Sequence, residues 1–158
     1  MFNEKQCEAL FLMAKQHAEA TPAIGSRLAC NCDTVSFGML GIARDFVPPE
    51  IKLEIQLNIG WITIDGKEVY HFTENDWKSW RRDNRPKKFP GHAWLSFGNE
   101  ILDLTLPSTL LIGDLLDSRR KEKLQSFTYM TKKIAADLGI EYFPVVKGDD
   151  VLNVFLGR

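Results

Sequence analysis

The sequence predicts an α+β fold, with helices first, antiparallel strands after them and one more helix late in the chain. Three observations carry that expectation. Asn3 to Ala20 and Asp33 to Asp45 space their apolar side chains at helical intervals. Ile51 to Trp61 alternates apolar and polar residues. The later apolar runs meet across two-residue turn signals, Asp65-Gly66 and Gly98-Asn99, which make hairpins and not the long crossovers of a parallel sheet.

Each element follows from local chemistry. Asn3 to Ala20 puts Cys7, Leu10, Phe11, Ala14 and Ala18 on one helical face, and Thr21-Pro22 ends it because a residue before proline avoids helical geometry. Ala23 to Asn31 reads as a loop. Asp33 to Asp45 reads as a buried helix starting near Cys32, with Val35, Leu40, Ile42, Ala43 and Phe46 among its apolar positions. Gly38 and Gly41 each cost it about 1 kcal/mol unless they admit close packing. Pro48-Pro49 stops that helix. Ile51 to Trp61 is a half-buried strand, turned at Asp65-Gly66 into a partner over Lys67 to Phe72. Thr73 and Asp76 have the spacing of a capping pair for a short helix through Arg82, and a polar loop runs from there to Pro90. Gly91 to Phe97 and Glu100 to Thr105 form a second hairpin. Pro107 to Asp117 is irregular or briefly helical. Ser118 caps a helix to Leu138, with Leu124, Phe127, Met130, Ile134 and Leu138 inward and Gly139 as the stop. Ile140 to Val146 and Val151 to Leu156 form a last hairpin.

Composition narrows the function. A chain of 158 residues suits one domain with its own core. The domain divides into a helical part (1–46), antiparallel strands (51–106) and a final helix with hairpin (107–158). Hydrophobic residues at 44% and charged residues at 26% exclude a disordered or fibrous chain. A net charge of −1 argues against a nucleic-acid binder driven by bulk positive charge. No apolar run approaches the roughly 18–20 residues of a membrane span, so no membrane partner is expected. Met1 to Ala20 has no signal-peptide h-region, and the expected compartment is the cytosol. Three cysteines, Cys7, Cys30 and Cys32, are an odd number without a secretion signal, and they read as thiols.

The residues that carry chemistry lie in Gly91 to Thr105. With Gly98-Asn99 as a two-residue turn, Phe97 pairs with Glu100, Trp94 lies opposite Asp103, and His92 lies opposite Thr105. His92 and Asp103 then share a face as diagonal neighbours, roughly 7–8 Å apart at the backbone. An aspartate there fixes the tautomer and orientation of the imidazole. Cys32, at a helix start after a Gly-containing loop, feels the positive end of the helix dipole, which favours thiolate. Cys32, His92 and Asp103 then make a nucleophile, a general base and an orienting acid. Cys30 stands as the alternative nucleophile, and Cys7 as a core position.

Gly91-His92-Ala93-Trp94 followed by Ile101-Leu102-Asp103-Leu104-Thr105 resembles the His and Asp strands of transglutaminase-like, papain-fold proteins. Cys32-Asp33-Thr34-Val35-Ser36 resembles the start of their central helix. The resemblance covers Cys32 to about Pro107. It implies a papain-like core, in which a helix carrying Cys packs on an antiparallel sheet carrying His and Asp. It also implies thiol acyl transfer on a peptide or protein amide: hydrolysis, deamidation or transamidation, with no cofactor or metal. The amide of Cys32 would help to stabilise the oxyanion. One departure is that Gly25-Ser26-Arg27-Leu28 stand where papain-like enzymes carry a Gln donor. Gln16, on the first helix, has no geometric claim to that role. The departure motivates a second reading, the same fold as an inactive module that acts through protein contacts.

Blander readings stand beside these. Asp103 can serve as a strand-end turn residue bonded to backbone near Thr105. Trp94 reads as core or cleft wall. Cys30-Asn31-Cys32 as half a metal site with His92 or His71 ranks below the triad, because no second cysteine pair completes it. A disulfide between those two cysteines is strained by the spacing. Trp77 to Lys88 is basic and aromatic, as polyanion sites are, but Glu74, Asp76 and Asp83 dilute its charge. It reads as a helix anchored by tryptophans, with a lid over the cleft as a further role. His17 and His71 read as structural or surface residues.

Overall fold

Helix α1 (Glu4–Glu19) begins at a reciprocal cap: Asn3 accepts from the Gln6 amide at 2.9 Å, and the Gln6 side chain accepts from the Asn3 amide at 3.0 Å. The structure is a computed structural model that describes residues 1–82 and 86–148, and of residues 81 and 82 the backbone alone. The inward face of α1 is Cys7, Leu10, Ala14 and Ala18. The segment read as a loop contains a 3-10 turn at Pro22–Ile24. Helix α2 (Cys32–Asp45) packs on α1, and its inward face is Val35, Ser36, Met39, Leu40 and Ala43. The ring of His17 lies against Gly38, where a Cβ would come within 2.5 Å of Nε2. The absent side chain is what lets α1 and α2 approach there. No helix among the described residues is long and apolar enough to cross a membrane.

The rest of the chain is a mixed α+β arrangement around an antiparallel sheet. In chain order come β1 (Ile55–Ile64), β2 (Lys67–Val69), α3 (Glu74–Arg82), β3 (His92–Phe97), β4 (Glu100–Asp103), α4 (Leu106–Ile112), α5 (Ser118–Leu124), β5 (Met130–Thr131), α6 (Lys132–Asp137) and β6 (Ile140–Lys147). Strand β1 is the hub. One of its edges carries β3 along residues 55–60 and then β2 along 62–64, and the other carries β6 along 58–64. Strands β4 and β5 extend the sheet beyond β3. Gly60 is required where β1 meets β6: the register shifts there, and a Cβ would lie 2.0 Å from the Phe143 carbonyl oxygen. One apolar cluster joins α1 and α2 to Ile55, Leu57, Ile59, Ala93, Leu95 and Phe97. A second gathers Ile62, Ile64, Leu106, Leu110, Leu124, Met130, Leu138 and Ile140.

Several expectations need correction. The strand read from Ile51 begins only at Ile55. Pro49–Glu54 is a 3-10 segment with Leu53 77% exposed, because the turn set by Pro48-Pro49 outlasts the alternating pattern. Strand β1 is also buried on both faces, with Asn58 tucked in and donating to Ser96 Oγ at 2.8 Å. The partner strand ends at Val69 and not at Phe72, since Tyr70 turns to φ 61°. The reading of Pro107 to Asp117 as irregular or briefly helical holds, since its first half is helical with Pro107 in the opening turn of α4. The helix read from Ser118 to Leu138 is two short helices with β5 between them. Asp117 caps the first and Thr131 the second, each accepting from an amide three residues on. The run Ser126-Phe127-Thr128-Tyr129-Met130-Thr131 explains the break, because β-branched, aromatic and hydroxyl side chains favour strand and caps over helix interior. Strand β6 pairs with β1, and Val151 to Leu156, the expected second strand of the last hairpin, lies outside the described residues.

Candidate active site

Strands β3 and β4 pair Phe97 with Glu100, Ser96 with Ile101 and Leu95 with Leu102, the register that a Gly98-Asn99 turn dictates. One step further sets Asp103 level with Trp94 and diagonal to His92. The diagonal is bridged: His92 Nε2 and Asp103 Oδ2 are 2.5 Å apart, with His92 2% exposed and Asp103 fully buried. Both readings of Asp103 describe it, one for each oxygen. Oδ1 accepts from the amides of Thr105 and Leu106, each at 3.0 Å, and from Thr105 Oγ1 at 3.2 Å. Oδ2 takes His92 and also the hydroxyl of Tyr142, which donates at 2.9 Å from β6.

The electrostatics follow from that saturation. Burial alone would lower the His92 pKa. The charge of Asp103, then that of Cys32, outweighs burial and raises it to about 10. Burial would raise the Asp103 carboxyl, but His92 and the two amides hold it below its ordinary value. Tyr142 is pushed well above its ordinary value by burial and by the adjacent carboxylate, so it stays a protonated donor. Trp94 stacks on His92 with centroids 5.8 Å apart and meets Tyr142 edge-on at 4.9 Å. It is 2% exposed and belongs to the core behind the imidazole.

Cys32 is the first residue of α2 and half-buried. With Nε2 committed to Asp103, Nδ1 is the ring nitrogen left for a thiol, and Cys32 lines the same cleft as His92, close enough for its charge to act on the imidazole. Two contacts set that meeting. Ser36, one turn beyond Cys32, donates its hydroxyl to the Ala93 carbonyl at 3.1 Å, pinning α2 to the strand residue after His92. The Cys30 amide donates to Thr109 Oγ1 at 2.9 Å, and Thr109 donates to the Thr105 carbonyl at 3.1 Å, tying the cysteine loop to the Asp103 turn. Asn31 closes the loop internally, its side-chain NH₂ donating to the carbonyls of Ile24, Arg27 and Ala29. The amides of Cys32, Asp33 and Thr34 open the helix and have no partner within it.

These groups meet in a cleft of about 770 Å³. Cys30 to Thr34 form one wall, Pro86 to Pro90 another, and Tyr70, Gly91 and His92 also line it. The Trp77 to Lys88 segment therefore splits. Trp77 is 3% exposed and Trp80 packs on Phe72, whereas residues 86–88 border the cleft, with Lys87 and Lys88 exposed. Cys30 is exposed and lines the same cleft, while Cys7 is buried in α1. His71 packs against Trp61, and His17 against Gly38. Gln16 is exposed on α1, away from the cleft. Among the described residues, no group of three or more His, Cys, Asp or Glu side chains is arranged to hold a metal ion.

Tyr142 and Tyr70 escaped the sequence reading. Tyr142 reaches Asp103 only because β6 pairs with β1, and no turn signal encodes that pairing. Tyr70 reaches His92 because β2 and β3 lie end to end along one edge of β1, and their rings stack at 5.8 Å.

Fold and site together define a class of protein: an α+β chain whose antiparallel sheet presents a buried His-Asp pair to a cysteine at a helix start. No family model, no curated protein and no solved structure matches the chain.

Proposed function

We propose that this chain is a thiol-dependent acyl-transfer enzyme of the papain-like, transglutaminase-like kind, acting on peptide or protein amides. One observation carries the reading: His92, clamped by Asp103 through Nε2, shares an open cleft with Cys32 at the start of α2. The catalytic residues are Cys32, His92 and Asp103. His92, kept protonated by Asp103, already holds the thiol proton on Nδ1, and the sulfur attacks the amide carbonyl carbon. The carbonyl electron pair moves onto oxygen, towards the first amides of α2. On collapse the C–N bond breaks, His92 returns its proton to the departing amine, and a thioester remains. Water or an amine then attacks the thioester, His92 takes the incoming proton and returns it to sulfur, and the acid or the new amide leaves. Which acceptor wins decides between hydrolase, deamidase and transamidase. Three free thiols suit a reducing cytosol.

The test uses p-nitrophenyl acetate as acyl donor and iodoacetamide as alkylating agent, with intact-mass and peptide mapping. The expected result is a single acyl adduct on Cys32, and alkylation of Cys32 faster than that of the more exposed Cys30. Cys32→Ala should lose acylation by at least about 10³-fold. No adduct on Cys32, together with alkylation no faster than at Cys30, overturns the enzyme reading and leaves an inactive papain-fold binding module.

A further inference from the structure

Gly25 to Asn31, the segment just ahead of Cys32, holds no glutamine, and the Asn31 amide group is spent on three carbonyls. A side-chain donor for the oxyanion must come from elsewhere, and the cleft offers one. Tyr70 lines it beside Cys32 and His92, with its ring stacked on the imidazole at 5.8 Å and 25°. Its hydroxyl makes no hydrogen bond to any described residue, in contrast to Tyr142, whose hydroxyl is committed to Asp103. Its backbone sits at φ 61°, a region that a bulky aromatic seldom adopts. That turn ends β2 and aims the ring along the sheet edge at the start of β3.

We propose that Tyr70 is a further catalytic residue, whose phenol donates a hydrogen bond to the carbonyl oxygen as the Cys32 thioester forms. The proposal rests on the acyl-transfer reading and adds a donor to it. A second feature suits the role. Burial, then the charges of Cys32, Cys30 and Asp103, push the phenol up to about 12, so it stays neutral and protonated wherever Cys32 and His92 work. A donor that keeps its proton stabilises an oxyanion without being consumed by it.

Two reactions of the same sulfur separate this role from all others. With p-nitrophenyl acetate, the S–C bond forms as the carbonyl pair moves to oxygen. That pair then returns and the C–O bond to p-nitrophenolate breaks. With iodoacetamide, sulfur displaces iodide at a saturated carbon and no oxyanion exists. Tyr70→Phe keeps the ring and should slow acylation by about 10²–10³-fold while leaving the alkylation rate within about two-fold. Tyr70→Asn suits the left-handed backbone but is too short to reach, and it should show the same selective loss of acylation where the Phe variant folds poorly. Equal loss in both reactions means that Tyr70 acts through the thiol or imidazole and overturns the proposal. Unchanged acylation in either folded variant overturns it too, while normal acylation of wild-type Cys32 keeps the enzyme reading intact. If wild-type Cys32 takes no acyl group, the enzyme reading falls and the Tyr70 role falls with it.

Discussion

The two sides of His92 are built on opposite principles. On the Asp103 side every acceptor is used: two backbone amides, two hydroxyls and the imidazole converge on one buried carboxylate. On the Cys32 side lies an open cleft, with helix amides that have no partner within α2 and a phenol free of hydrogen bonds to described residues. One half fixes an orientation, and the other leaves donors open to the cleft. The acyl transfer proposed for this chain needs both, a base held still and room to admit a substrate.

The contrast can be broken most severely at its closed half. Asp103→Ala strips partners from five donors at once and should cost about 3–5 kcal/mol in denaturant unfolding, as loss of one member of a buried ion pair does. Asp103→Asn keeps an oxygen for the turn amides but alters what Nε2 faces. It should retain most stability and lose about 10²–10⁴-fold in acylation of Cys32, read with the activated ester. If the Asn variant acylates normally, the closed half serves folding alone.

A milder cut sharpens the comparison. Tyr142→Phe removes one hydroxyl from Asp103 and nothing from the cleft. We expect a loss of about 1.5–3 kcal/mol of stability, the usual worth of a hydrogen bond to a charged group. Acylation should fall by no more than about ten-fold. A larger catalytic than structural effect would move Tyr142 from support to chemistry.

A further test of the closed half is read with pH. His92 is raised from 6.5 to about 10 on folding, so its contribution to stability is complete below about pH 6.5 and drains away towards pH 10. Asp103 is lowered on folding, so its contribution is present above its unfolded value near 3.8 and is lost as pH falls below that. The unfolding temperature should therefore decline on both the alkaline and the acid arm. In Asp103→Asn the acid decline should weaken and the alkaline one should start at lower pH. Identical profiles would show that the pair is not coupled to folding.

How far the site could be read in advance depends on what connects its parts. His92 and Asp103 were legible because eleven residues and one tight turn separate them, and a two-residue turn leaves a hairpin little freedom of register. Cys32 was legible as a helix start. Its approach to His92 was not, because it depends on Ser36 meeting the Ala93 carbonyl across a packed interface. Tyr142 was hidden for the same reason, as the β1–β6 register rests on a bulge at Gly60 and on no local signal. The fold was legible at the level of an antiparallel α+β arrangement. It failed where spacing imitates structure. Leu124, Phe127, Met130, Ile134 and Leu138 step like a helix face, yet Met130 sits in β5 opposite Asp103. Ile51 and Leu53 alternate like a strand, yet they turn in a 3-10 segment.

The placement of β6 also has a consequence for biosynthesis. The ribosome makes β1 early and β6 late, but β6 is what covers the second edge of β1 and brings the Tyr142 hydroxyl to Asp103. A nascent chain that has released everything through β5 still exposes one long apolar strand edge, the kind that recruits other chains. Its aspartate also lacks one of its clamps. Translation thus sets an order in which the protein spends its early life unsealed, and the closing strand both ends that hazard and completes the surroundings of His92.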